Sequence, residues 1–232
     1  MTKVLIRQLF LLTPIVLLGG CTTTHKSGGT NDAPSLTPLA AGVALSSKIT
    51  HEFFPLSFVR YIELASETER SVRRVEDRTH VVGGVECLVL AEESYEDGEL
   101  AEISYNYFAQ DGHGNVYYFG EDVDNYKDGV VVDHGGSWLV GRNASEPTIF
   151  LPSNPQVGYT FKPENSPPDA EEWAEVQSVQ HHVNTPFATY DHVLAIRESN
   201  NPDEWQETKY YARGIGLIAE NDDLLLTKIG RD

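Results

Sequence analysis

Four carboxylates crowd one short stretch of the chain, Glu121-Asp122-Val123-Asp124-Asn125-Tyr126-Lys127-Asp128-Gly129. Of these, Asp122, Asp124 and Asp128 could hold Ca2+, a hard cation that takes many oxygen ligands. The spacing departs from the EF-hand loop, because glycine comes at the eighth position from Asp122 and no Glu closes the run. A solvated acidic hairpin explains the same residues without an ion. Upstream, Asp111, His113 and Asn115 also stand at calcium-like intervals. Val116 occupies the place where that loop needs glycine, so a hairpin turn accounts for them.

Nucleophilic catalysis has one candidate segment. Asp133-His134-Gly135-Gly136-Ser137-Trp138-Leu139 contains the residue types of a hydrolytic triad. Partners so close in sequence do not converge as a triad must, and Leu139 replaces the second glycine of a nucleophile elbow. His181 and His182 are adjacent, and on a strand their side chains face opposite sides, so they do not share a metal. No Cys-x-x-Cys or His-Glu-x-x-His occurs. Cys87 lies in the apolar run Val85-Glu86-Cys87-Leu88-Val89-Leu90, the setting of a buried small hydrophobe. No catalytic residue is assigned, and the expectation is a protein that is not an enzyme; a hydrolase using carboxylates outside these motifs is the alternative.

The chain holds 11 Tyr, 9 Phe and 3 Trp, and several gather on neighbouring expected strands: Tyr105, Tyr107, Tyr117, Tyr118, Phe119 and Trp138. One face of such a cluster must be core. The other could stack sugar rings or line an apolar groove for an acyl chain or a peptide. On that reading Tyr105, Tyr107, Tyr118 and Trp138 bind the ligand, and the acidic turn Glu121 to Asp128 forms the rim that selects cationic or hydroxylated groups.

The elements that must position these groups are strands. β-Branched and aromatic residues recur in short runs broken by turn signals: Gly83-Gly84, Asp97-Gly98, Asp111-Gly112-His113-Gly114-Asn115 and Asp128-Gly129. Ile103, Tyr105 and Tyr107 alternate with Ser104, Asn106 and Phe108 across the two faces of one strand. The segment Ala170 to Val179 fits helical and strand periods, and strand is preferred. The fold class expected is all-β: a single curved antiparallel meander or half-barrel with few or no helices.

Of 232 residues, 17 are Lys or Arg and 35 are Asp or Glu, a formal charge of -18, which leaves nothing to neutralise phosphates and excludes nucleic acid as a partner. Residues 1–20 read as a signal peptide, with Lys3 and Arg7 before an apolar stretch, Leu9 to Leu18, too short to span a bilayer. The ending Leu18-Gly19-Gly20-Cys21 resembles the bacterial lipobox. That resemblance implies cleavage before Cys21, lipidation of its thiol, and acyl chains that hold the protein to the membrane. Thr22 follows where an inner-membrane retention signal has Asp, which points to the outer membrane of a bacterial envelope. Removing residues 1–20 takes away two basic residues and no acid, so 15 basic and 35 acidic residues leave -20. Residues 21–48, rich in Thr, Ser, Gly, Ala and Pro, read as a flexible tether, and 49–232 as the β domain.

The later chain carries a further resemblance. Val183-Asn184-Thr185-Pro186-Phe187-Ala188-Thr189-Tyr190 and Lys209-Tyr210-Tyr211-Ala212-Arg213-Gly214-Ile215-Gly216-Leu217-Ile218 resemble strand pairs of bacterial periplasmic β-proteins. The run Asp111 to Val123 is similar to a stretch in an uncharacterised family of secreted or lipid-anchored proteins. Ala188 and Arg213 depart from that pattern, where glycine and proline are usual. The resemblance implies a curved antiparallel sheet distantly similar to lipoprotein-carrier half-barrels and brings no established activity. The functional expectation is a non-enzymatic envelope module that binds or assembles a lipid, a glycan or a protein partner. A calcium-stabilised surface module is the alternative, with Ca2+ as the one candidate cofactor.

Overall fold

A computed structural model describes Leu39, residues 42–201 and residues 206–231. Cys21, the signal segment and most of the expected tether lie outside the described residues. Fifteen strands follow in order: β1 (Leu45–Ser46), β2 (Val59–Ala65), β3 (Glu69–Val82), β4 (Val85–Glu96), β5 (Glu99–Asp111), β6 (Val116–Lys127), β7 (Val130–Asp133), β8 (Trp138–Leu139), β9 (Thr148–Leu151), β10 (Thr160–Ser166), β11 (Ala170–Asn184), β12 (Thr189–Ser199), β13 (Glu207–Ala212), β14 (Gly216–Glu220) and β15 (Leu224–Arg231). There is no helix among the described residues. The segment from Ala170 is the long strand β11, because Ala174 and Val176 alternate inward along it.

The strands form one open antiparallel sheet in the order β10-β11-β12-β13-β14-β15-β2-β3-β4-β5-β6-β7, with β1 on β5 and with β8 and β9 on β6. It is a meander as expected, joined at one point by the antiparallel pairing of the last strand, β15, with β2. Tight turns punctuate it: Gly83-Gly84, Asp97-Gly98 and Asp128-Gly129 have positive φ at both central positions, the geometry whose twist matches the flanking strands. The fold reaches back beyond residue 49, since Leu45 and Ser46 pair with Asp111 and Gln110, and the Ser47 hydroxyl donates to Glu86 at 3.2 Å.

Alternation along a meander places successive turns at opposite ends of the strands, and the two ends differ in chemistry. Turns 66–68, 97–98, 128–129, 167–169 and 221–223 carry Glu67, Asp97, Asp128, Asp169, Asp222 and Asp223 and no Lys or Arg. At the other end, turns 83–84, 112–115, 185–188 and 213–215 carry no acid and one Arg, Arg213.

Both faces of the central strands are covered. The larger core fills the concave face, where Ile62 and Leu64 of β2, Leu88 and Leu90 of β4, Phe108 of β5 and Tyr118 of β6 meet Phe54 and Trp138. The concavity is evident in Arg73 on β3, which reaches Glu220 on β14 at 2.7 Å across β2 and β15. On the opposite face Val82, Cys87, Val89, Tyr107, Tyr117, Phe119 and Ile149 form a second cluster, overlaid by Leu39, Leu45, Leu139 and Val140. Gly120 marks where β8 pairs closely with β6. Its φ is +115°, and a Cβ there would overlap the Trp138 carbonyl oxygen, so only glycine lets the two backbones approach.

Candidate functional site

The four rings expected to bind a ligand divide between the two faces. Tyr105 and Tyr107 point to the outer cluster, whereas Tyr118 and Trp138 point into the concave core. Tyr107, Tyr118 and Trp138 are buried, and only Tyr105 keeps a part-exposed side chain, with Arg78 above its ring at 5.7 Å. Tyr118 stacks on Phe108 at 4.7 Å, meets the edge of Trp138 at 5.1 Å, and donates to the Asn106 side-chain oxygen. Tyr107 packs beside His80 at 4.9 Å and donates to Asp122 Oδ2 at 2.9 Å, and burial together with that carboxylate raises its hydroxyl pKa well above the usual range. This is a correction to the expectation of one accessible aromatic platform. Alternation sends neighbouring rings to opposite faces, and both faces are roofed.

The acidic run is divided as well. Asp122 accepts from Tyr107 and lies 3.4 Å from Arg142, Asp124 meets His134 at 2.8 Å, and Asp128 occupies the positive-φ tip of the β6–β7 turn. Among the described residues, no three His, Cys, Asp or Glu side chains converge as a metal site would require. The segment with triad residue types is a turn that ties β7 to β6. Asp133 accepts from the Gly135 amide at 2.8 Å and from Asn125 at 2.7 Å, and those two hydrogen bonds draw its carboxyl below the ordinary aspartate range. The Ser137 hydroxyl accepts from the Val123 amide at 2.8 Å, and His134 Nδ1 lies 3.0 Å from the Val123 carbonyl.

His181 packs on Tyr210 at 5.0 Å while His182 meets Asp191 at 2.7 Å, so the pair parts as the strand period requires. Cys87 is buried with its thiol 3.5 Å from the Val85 carbonyl, and burial pushes it up to about 12, which leaves no thiolate for chemistry.

Two features were not singled out from the sequence. One is a buried ionic network on the concave face. Arg73 bridges Glu92 at 2.8 Å and Glu220 at 2.7 Å, and Lys209 meets Glu198 at 2.5 Å with Glu207 at 4.0 Å. Burial, and then the neighbouring Glu207, push the Glu220 carboxyl up to about 7, against the opposing pull of Arg73. The signal was present in the alternation: Arg73 has the parity of Val75, and Glu92 that of Leu88 and Leu90, which are core positions.

The other feature is β7. It closes one end of the strand order, and its three valines, Val130, Val131 and Val132, are 60%, 44% and 54% exposed. Three consecutive apolar residues cannot all face one side of a strand, so the run places valine on both faces of β7. A groove of about 510 Å³ lies elsewhere, where β3 bulges between Val75 and Thr79. Its walls are polar, with Arg60 held to Asp77 at 2.5 Å. No protein-family model, curated protein or solved structure matches this chain.

Proposed function

We propose that this chain is a lipid-anchored protein of a bacterial envelope, held through Cys21 at the outer membrane, whose β domain is a non-enzymatic binding or assembly module. The binding element is the projecting hairpin of β6 and β7. The observation that carries this reading is the exposure of Val130, Val131 and Val132 on a strand that ends the sheet, because contiguous exposed apolar residues on an unpaired edge mark an interaction surface or an aggregation hazard. Proteins blunt such edges with Lys, Pro or bulges; Val130-Val131-Val132-Asp133 contains no Lys or Pro, and its one irregularity is a register shift against β6 between Val131 and Asp133. Among the candidate partners, a protein suits a strand edge, since backbone donors and acceptors match another backbone better than a glycan or an acyl chain.

The test is a photo-crosslinking side chain placed at Val131 in the full-length protein, expressed in a bacterial envelope. A discrete adduct is expected from Val131, 44% exposed, and not from Val157, which is more exposed at 64%. Adducts that are the same at both positions sink the reading. Metabolic labelling with a fatty-acid analogue checks the anchor: the wild-type protein takes the label and Cys21→Ser does not.

A further inference from the structure

We propose that β7 receives an added strand from a cationic partner segment, one in which Lys or Arg alternates with apolar residues; this rests on the binding reading above and names the partner's chemistry. Three observations lead to it. First, the ladder on the outer side of β7 is unpaired among the described residues. The two-residue turn Asp128-Gly129 makes Lys127 and Val130 the hydrogen-bonded closing pair, so the next pair, Tyr126 and Val131, is of the non-hydrogen-bonded type. The Val131 N–H and C=O therefore point away from β6, toward the free edge.

Second, the valines are exposed on both faces of β7, so an incoming strand finds apolar contact above and below the sheet, the arrangement by which strand addition combines backbone affinity with side-chain selection. Third, the charge around this edge is mainly negative, although Arg142 lies 3.4 Å from Asp122. The hairpin from Asp122 to Asp133 holds Asp122, Asp124, Asp128 and Asp133 against Lys127 alone, and it belongs to the end of the sheet whose turns carry six carboxylates and no Lys or Arg. A second copy would bring Asp128 and Asp133 against Asp128 and Asp133, and like charges placed opposite each other are destabilising. An anionic lipid surface is repelled for the same reason. A strand bearing Lys or Arg meets neither obstacle.

The experiment uses the full chain in detergent and two synthetic octapeptides, one alternating Lys with Val and one alternating Glu with Val. Fluorescence anisotropy should show the Lys peptide binding at least about tenfold more tightly than the Glu peptide, with the difference shrinking at high salt. Hydrogen exchange at the Val131 amide should slow when the Lys peptide is bound. Val131→Pro removes the outward donor without touching a β6–β7 hydrogen bond and should abolish the binding; Val131→Lys keeps the backbone and should weaken it through charge and edge blunting. Equal binding of the two peptides, or Lys-peptide binding untouched by both variants, overturns the inference. So does a dimer of the full chain, or attachment to phosphatidylglycerol vesicles, that is lost with Val131→Lys. If the crosslink at Val131 forms while the Lys peptide fails to bind, strand addition to a cationic partner is wrong and the binding reading stands; if both fail, both are wrong.

Discussion

The middle of the sheet and its free edge handle residue type in opposite ways. Around Trp138 and on the concave face, the molecule buries Asn106 and Lys209 and largely encloses Arg73, Glu92 and Glu220, whereas at β7 it leaves three valines in water. What separates the two regions is the cover over each strand. Strands β4 to β6 have chain on both faces, with Phe54 and Trp138 on one side and Leu39, Leu45 and Val140 on the other. Strand β7 has its neighbour on one edge and nothing on the other among the described residues. A polar side chain in the middle must therefore find a partner within the protein, while an apolar one at the edge is left open to the solvent.

The sharpest way to break this contrast is to remove the roof. Trp138 is fully buried and presses on Tyr118, so Trp138→Ala is expected to cost about 3–5 kcal/mol in urea denaturation of the full chain. A loss comparable to that of a surface substitution would mean that the concave face is not a core.

The next test exchanges one buried charge. Burial raises the Glu220 carboxyl to about 7, above its ordinary value of 4.5. A raised carboxyl favours the folded state while protonated, so its stabilising contribution is complete below about pH 4.5 and is lost as pH rises through 7. Glu220→Gln stays neutral. Wild type should therefore lose stability relative to this variant between pH 4.5 and pH 7, by about 3 kcal/mol. A gap between the two proteins that is constant with pH would show that the Glu220 carboxyl is not raised in the folded protein, and a gap that changes in wild type's favour would show that Arg73 holds it ionised.

Tyr107 gives a smaller effect. Tyr107→Phe keeps the packing beside His80 and deletes the donor to Asp122, which should cost about 1 kcal/mol. At the edge itself, Val131→Thr should change stability by less than about 0.5 kcal/mol, because the side chain is half exposed and packs little. A destabilisation as large as that of Trp138→Ala would mean that Val131 is part of a core, and the contrast between the two regions would vanish.

The fold was legible in the sequence because its signals are local. Gly83-Gly84, Asp97-Gly98 and Asp128-Gly129 specify hairpins by themselves, and Ile103 to Phe108 divides its side chains between two faces as a strand period must. The candidate site was less legible. Tyr105 to Tyr118 and Trp138 looked like a platform because periodicity tells which residues share a face and not what lies above it. Both roofs come from distant chain: Leu45 through its pairing with Asp111, and Trp138 through the pairing at Gly120. The Arg73 to Glu220 contact joins residues 147 positions apart, beyond the reach of any local pattern. The valine run at 130–132 was visible as a broken alternation, but its meaning depended on β7 being the last strand of the order.

The acid-bearing turns at one end of the sheet and the acid-free turns at the other bias the body's charge along the strands. Strands β4 and β5 are 12 and 13 residues long, so the turns they join stand roughly 40 Å apart, with the turn carboxylates at one end. The described chain enters at the other pole, where β1 pairs with the end of β5 beside turn 112–115. Near a negatively charged surface such a body experiences a torque that swings the acidic pole outward. Under the anchoring proposed above, attachment on the Leu45 side works with that torque, and both then turn β7's end of the sheet toward the solvent.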